Sequence, residues 1–169
     1  FLYRFGTKTL EVWYNSGVGS PPIDRVQGQM YTVGLGAIHS VANTDNVIYW
    51  VGDDRAIYRT SGGVEERVST PAISNALEEM ATVSDAFAYT FTMQGQDFYL
   101  VTFPTGDKTF LLNEGLGADG WSELSSGIYH NAYTVTSLVN TYGKNIIAKG
   151  GKLLTLELNE YTQDTDTMI

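Results

Sequence analysis

The protein has 169 residues, the size of one domain or of part of one. It contains no cysteine, which excludes disulfides, thiolate metal sites and cysteine nucleophiles. Hydrophobic residues make up 43% of the chain and aromatic residues 12%, so the composition is that of a folded protein and not of a disordered one.

The charge balance is strongly acidic. Ten basic residues stand against nineteen acidic ones, which gives a net charge of -9. Proteins that bind the backbone of nucleic acids usually present a basic surface, and the basic residues here form no dense run. The sequence therefore disfavours direct binding of DNA or RNA and adhesion to anionic lipid. It also contains no apolar run of the length that a membrane span requires.

A period of two, typical of β-strands, runs through most of the chain. It is clearest at residues 87–93, where Phe87, Tyr89, Phe91 and Met93 share one face. In the segment 46–51, every residue after Asn46 is apolar, which indicates a strand covered on both faces. In chain order, strands are predicted at 2–5, 9–14, 40–43, 46–51, 56–60, 64–68, 87–93, 97–103, 109–112, 121–124, 137–141, 145–149 and 152–158.

Tight turns separate these strands at regular intervals. Gly6, Gly52, Gly106 and Gly150 each lie in a short connection, where glycine can supply the positive φ that hairpin turns need. A second set of turns, one strand earlier, lies at 44–45, 94–95 and 143–144. Both sets recur after roughly 50 residues, a spacing typical of repeat architectures.

The repeat predicts an all-β fold made of antiparallel four-stranded meanders. A repeat of roughly 40 to 50 residues with this content is typical of a β-propeller blade, and an evenly spaced β-sandwich is the alternative. We expect residues 1–169 to form part of a single propeller domain, with roughly three to four blades, and to be a fragment of a longer chain. The predicted core consists of Val12, Ile48, Trp50, Ile57, Phe87, Tyr89, Phe91, Leu100, Leu111, Ile147 and Leu154.

One segment departs from the β pattern. Thr70 is a candidate N-cap, Pro71 suits the first helical position, and Ile73, Leu77 and Met80 share one face at helical spacing. The sequence predicts a short helix within residues 69–81, between two blades.

The sequence contains few residues in catalytic or metal-binding patterns. His39 and His130 lie in separate repeats, no nucleophile-elbow motif is present, and no spacing of metal ligands occurs. Asp53-Asp54 is interpreted as part of a hairpin turn. We expect no metal, no cofactor and no enzymatic activity.

A glycan-binding or glycoside-hydrolysing propeller is the alternative function. The segment 117–121 has part of the Asp-box pattern of sialidases, but it lacks the opening serine and occurs once. Sialidases also bind a carboxylate sugar with clustered arginines. Arg55, Arg59 and Arg67 are close in sequence, but their spacing does not require such a cluster.

The sequence resembles a family of phage structural proteins. The residues that carry the resemblance are Glu11-Val12-Trp13-Tyr14-Asn15 and Trp50-Val51-Gly52-Asp53-Asp54, with supporting segments at 23–28, 57–59, 67–70 and 120–123. Taken in this order, they are similar to the packaged-DNA stabilisation proteins, or tail hub proteins, of short-tailed bacteriophages. The resemblance covers most of the chain.

The resemblance implies a structural protein of the virion tail, assembled in the host cytoplasm. Hubs of this family lie below the portal and its adaptor ring, close the channel after genome packaging, and dock the tail needle and the tailspikes. They assemble as a ring of identical copies, and we expect a hexamer. The implied partners are the portal-adaptor protein, the tail needle and the tailspike proteins.

Candidate contact residues lie in three segments that interrupt the strands. Loops on a rigid scaffold are where recognition usually resides, and the three segments are 18–23, 71–80 and 115–120. The candidate partner-contact residues within them are Pro21, Pro22, Pro71, Asn75, Glu78, Glu79, Gly117 and Asp119.

Overall fold

A computed structural model describes residues 1–157, apart from the side chain of Ala118, and the backbone of residues 162–163 and 166–167. Its elements, in chain order, are β1 (Leu2–Phe5), β2 (Leu10–Asn15), β3 (Ile23–Tyr31), β4 (Ala42–Thr44), β5 (Val47–Val51), β6 (Ile57–Ser61), β7 (Val64–Arg67), α1 (Pro71–Glu79), β8 (Phe87–Met93), β9 (Gln96–Phe103), β10 (Lys108–Asn113), a 3-10 helix (Glu114–Gly120), β11 (Trp121–Ser126), β12 (Asn131–Ala132), β13 (Ser137–Thr141), β14 (Lys144–Lys149), β15 (Lys152–Leu156), β16 (Thr162–Gln163) and β17 (Asp166–Thr167).

The strands form a series of antiparallel meanders, in which each strand pairs with the next. Sheet 1 contains β1-β2-β3, sheet 2 contains β4 to β7, sheet 3 contains β8 to β12, and sheet 4 contains β13-β14-β15. A separate pair is formed by β16 and β17. The all-β fold class with one short α-helix is therefore confirmed.

Neighbouring sheets are arranged side by side, with their first strands adjacent. Strand β8 packs beside β4 on one side and β13 on the other. A parallel bridge joins His39, just before β4, to Phe87, and the amide of Ala88 donates to the carbonyl of His39 at 2.9 Å. Parallel first strands in successive meanders are the arrangement found around the axis of a β-propeller.

Most predicted elements agree with the structure in position. Strands β8 and β13 have the predicted bounds, and helix α1 begins at Pro71, with Thr70 Oγ1 accepting from the amide of Ile73. The predicted strand 152–158 is found as β15, and its last residue lies outside the described residues. Strands β3, β12, β16 and β17 were not predicted from the sequence.

Strand β3 escaped prediction because its side chains are mostly polar and exposed. It lies at the outer edge of sheet 1, and six of its nine residues are exposed. Its pairing with β2 shifts register between Glu11 and Trp13, and Gly28 has a φ of 78°. A bulged, polar edge strand of this kind lacks clear alternation.

The core is divided between the interfaces of the sheets. One cluster lies between sheets 2 and 3 and helix α1 and includes Tyr49, Val51 and Leu77. A second lies between sheets 1 and 2 and contains Leu10, Trp50, Ala56 and Tyr58. Because successive side chains of a strand point to opposite faces, β5 supplies both clusters, which explains its continuous apolar sequence.

The predicted core is partly correct. Val12, Trp50, Ile57, Phe91, Leu100 and Ile147 are buried, as predicted. Ile48, Phe87, Tyr89, Leu111 and Leu154 are only half-buried, so their prediction as core residues was wrong.

Four of the five half-buried positions lie on sheet faces that meet a three-stranded neighbouring sheet. Phe87, Tyr89 and Leu111 lie on the face of sheet 3 that meets the three-stranded sheet 4. Leu154 lies on the outer strand of sheet 4, beside the better covered Ile147. Ile48 faces sheet 1, which is also three-stranded.

Candidate partner-contact surfaces

The alternating strand directions place the connections at two opposite ends of the sheets. We call one the hairpin end; it carries the β4–β5, β8–β9 and β13–β14 turns, the loop 16–22 and the 3-10 helix. The other, the helix end, carries the β1–β2, β5–β6, β9–β10 and β14–β15 turns and α1. Lys8 in the β1–β2 turn lies 2.5 Å from Asp53 in the β5–β6 turn, so the ends of sheets 1 and 2 are aligned.

The hairpin end is built on tight two-residue turns. Gln94 and Gly95 have φ values of 51° and 74°, and Tyr142 and Gly143 have values of 51° and 71°. Positive φ at both central positions defines the type I′ turns that favour short hairpins. The turn predicted at 143–144 is therefore found at 142–143, one residue earlier. Its Tyr142 side chain is 98% exposed.

The 3-10 helix at the hairpin end is anchored to sheet 2. Glu114 accepts hydrogen bonds from the hydroxyl of Tyr49 and from the guanidinium of Arg59, the latter at 3.2 Å. Burial raises the pKa of the Glu114 carboxyl. Two of the candidate residues, Gly117 and Asp119, follow this anchor and are exposed.

The loop 16–22 at the same end is held by local hydrogen bonds. The amide of Ser16 donates to the carbonyl of Pro22 at 3.0 Å, and that of Gly17 donates to Asn15 Oδ1 at 3.0 Å. The candidate residues Pro21 and Pro22 are exposed in this loop, which contains no charged residue.

The helix end presents α1 from a fixed position. Arg55 donates through one guanidinium nitrogen to the carbonyls of Leu77, Glu78 and Met80, at 3.0, 3.0 and 2.7 Å. These carbonyls lie at the carboxyl end of the helix, where backbone acceptors lack partners within the helix. Arg55 has a φ of 62°, a conformation uncommon for a residue with a Cβ.

The amino-terminal end of α1 is also held by hydrogen bonds. Arg67 donates to Ser74 Oγ at 2.6 Å, and Thr70 caps the first turn. The remaining candidates, Pro71, Asn75, Glu78 and Glu79, are all exposed on this helix. The eight candidate residues therefore lie at two opposite ends of the molecule and do not form a single surface.

Two carboxylates at the helix end make hydrogen bonds that the sequence did not predict. Asp53 accepts from Lys8 and from the amide of Gly34, and the hydrogen bond from Lys8 is the main cause that lowers its pKa. Asp107 accepts from the amide of Ala132 and from Asn131, which lowers its pKa. The only sequence signal for either was an aspartate beside a tight turn.

The groups considered for catalysis are dispersed. His39 and His130 are both exposed. The three arginines do not converge, because Arg55 binds α1, Arg59 pairs with Glu66 and Glu114, and Arg67 binds Ser69 and Ser74. Within the described residues, no group of three or more His, Asp or Glu side chains is placed to hold a metal ion. No helix in the same part of the chain is long and apolar enough to cross a membrane.

Comparison with known proteins identifies the family. Residues 1–161 match a family model described as Bacteriophage P22 Gp10, beta-propeller. No curated protein matches the chain. The family is one of structural phage proteins that stabilise packaged DNA, which implies a location in the virion. The match confirms both the resemblance found in the sequence and the propeller fold. The chain belongs to the family of the packaged-DNA stabilisation protein Gp10 of bacteriophage P22.

Proposed function

We propose that this protein is a hub of the phage tail that joins different partners at its two ends. In this proposal a hexameric ring of copies lies below the portal and its adaptor protein and closes the channel after packaging. The opposite side of the ring docks the tail needle and the tailspikes. The protein itself performs no chemistry in this role.

The separation of the candidate residues between two ends is the observation that carries the proposal. Pro21, Pro22 and the exposed part of the 3-10 helix lie at the hairpin end, and α1 lies at the helix end. Each segment is attached to the sheets by hydrogen bonds. A rigid scaffold with an ordered contact surface at each end can hold two partners at a fixed distance from one another.

The charge of the protein supports a role beside DNA without tight binding to it. A net charge of -9 opposes the counterion release that drives binding to phosphate backbones. A channel that later conducts the genome benefits from walls that do not retain it.

Assembly assays with variants of each end test the proposal. Glu78→Lys with Glu79→Lys changes the helix end, and Pro22→Lys with Asp119→Lys changes the hairpin end. Each pair should weaken the binding of a different partner, measured by sedimentation of purified portal-adaptor complexes and tail needle with the full-length protein. Arg4→Ala, at a side chain that is 71% exposed on β1, is the control and should bind both partners normally.

Three results would contradict the proposal. One is the loss of the same partner with both pairs of substitutions. Another is micromolar affinity for duplex DNA with a steep dependence on salt. The third is turnover of a chromogenic glycoside or specific binding on a glycan array, which would favour the glycan-processing alternative.

A further inference from the structure

Strand β1 occupies the position of a second strand in its sheet. In sheets 2 and 3 the second strands are β5 and β9, and they meet through the stacked rings of Tyr49 and Tyr99, whose centroids are 4.8 Å apart. On the other face of β5, Trp50 meets Phe5 of β1 at 5.5 Å. Across the interface between sheets 1 and 2, the strand that packs against the second strand β5 is therefore β1.

The positions of the turns also indicate that β1 corresponds to a second strand. The β5–β6 turn joins the second and third strands of sheet 2, and it contacts the β1–β2 turn through Lys8 and Asp53. Strands β1 and β5 both end at these adjacent turns, so they run in the same direction. Strand β1 therefore runs antiparallel to β4, whereas the first strands of sheets 2 and 3 run parallel to one another.

The inner edge of β1 has no strand beside it among residues 1–157. Sheet 1 has the order β1-β2-β3, and the amide of Gly6 donates to the carbonyl of Thr9 at 2.7 Å. Since hydrogen-bonded pairs alternate in an antiparallel ladder, the backbone groups of Leu2 and Arg4 face β2, while those of Tyr3 and Phe5 face the inner edge. No backbone hydrogen bond from another described element reaches Tyr3 or Phe5.

A groove lies between this edge and sheet 2. It has a volume of about 470 Å³. One wall is formed by Phe1, Tyr3 and Phe5, and the facing wall includes Val41, Asn43 and Ile48. Phe1, Tyr3 and Phe5 are alternate residues of the chain, so the wall that they form has the period of a β-strand. The same opening explains why Ile48 is only half-buried.

We propose that a further strand of the same polypeptide, outside residues 1–157, occupies this groove as the first strand of sheet 1. It would pair antiparallel with β1 and run parallel to β4. Apolar side chains at alternate positions would cover Tyr3, Phe5 and Ile48. The comparison with the other sheets supports this occupant, because β4, β8 and β13 are each joined to their second strands by a short turn of the same chain.

Cysteine labelling of the full-length protein tests the proposal directly. The chain has no cysteine, so a single Asn43→Cys substitution reports on the groove alone. In the purified protein, with no other protein present, its reaction with a maleimide should be at least about tenfold slower than that of Val18→Cys. A strand that occupies the groove excludes solvent and leaves the thiol at position 43 accessible for a smaller fraction of the time. Val18 is 75% exposed in the loop 16–22 and serves as the matched control.

Hydrogen exchange provides a second measurement that needs no substitution. The amides of Tyr3 and Phe5 should be protected in the purified full-length protein to the same degree as that of Arg4. Fast labelling of Asn43→Cys together with fast exchange at Tyr3 and Phe5 would overturn the proposal. Protection that arises only after tail proteins are added would overturn it too, because the strand would then come from another protein.

Discussion

Lys8 and Asp53 join two turns that are 45 residues apart in the sequence, with 2.5 Å between Nζ and Oδ2. Asp53 also accepts from the amide of Gly34 at 2.7 Å. A single carboxylate therefore connects the β1–β2 turn, the β5–β6 turn and the segment after β3.

Replacement of Asp53 should destabilise the contact between sheets 1 and 2. Asp53→Ala removes the acceptor for the backbone amide of Gly34 and for Lys8. We therefore expect a loss of about 1 to 3 kcal/mol in the free energy of unfolding. Urea denaturation at pH 7 measures it. Asp24→Ala, at an exposed residue of β3, is the control and should stay within about 0.5 kcal/mol of the wild type.

The effect of Asp53 should depend on pH in a defined direction. The pKa of Asp53 is lowered from 3.8 in the folded state, so folding favours the charged form. Its stabilising contribution is present above pH of about 4 and is lost as the pH falls through the folded pKa. The difference in Tm between the wild type and Asp53→Asn should therefore shrink between pH 5 and pH 2. A difference that grows in this range would contradict the assignment.

Arg55 should be needed for the position of α1. Arg55→Ala leaves the carbonyls of Leu77, Glu78 and Met80 without their donor, and we expect a loss of about 1 to 3 kcal/mol. Arg55→Gly should lose less than Arg55→Ala, because glycine adopts a φ of 62° without strain. Unfolding free energies of the two variants check this order, and the reverse order would show that the backbone at this position is not strained.

Trp50 should be among the most sensitive positions of the core. It is fully buried between sheets 1 and 2, and Trp50→Ala should cost about 3 to 5 kcal/mol. Val64→Ala provides the comparison, because Val64 is 70% exposed and should change stability by less than about 0.5 kcal/mol. Chemical denaturation of both variants tests the assigned strand faces.

Tyr142 should be replaceable with a gain in stability. It has a positive φ in a type I′ turn and an almost fully exposed ring, whereas such turns favour Asn or Gly. Tyr142→Asn should therefore raise the free energy of unfolding by about 0.5 to 1 kcal/mol. If the same variant also assembles less well with tail proteins, the strained tyrosine serves recognition at the hairpin end.

The sequence predicted local structure well wherever the pattern was short-range. The bounds of β8 follow from the alternation of Phe87, Tyr89, Phe91 and Met93, and the start of α1 follows from Thr70 and Pro71. The family was also recognisable, from Glu11-Val12-Trp13-Tyr14-Asn15 and Trp50-Val51-Gly52-Asp53-Asp54 taken in order with their supporting segments. These features depend on residues that are neighbours in the chain.

Contacts between distant residues could not be predicted in the same way. Nothing near Arg55 in the sequence indicates that its side chain caps a helix more than twenty residues later, and nothing near Glu114 indicates Tyr49. The exposure of the eight candidate residues could be expected, because they lie in segments that interrupt the strands. Their division between two ends required the strand directions of every sheet.

The two-sided burial of β5 makes neighbouring interfaces dependent on one another. Tyr49 and Trp50 are adjacent in sequence, yet one packs against sheet 3 and the other against sheet 1. Any slip of β5 by one residue would exchange these two rings and disrupt both interfaces together. A displacement of sheet 1 would therefore act on sheet 3 through β5, because the same strand packs against both.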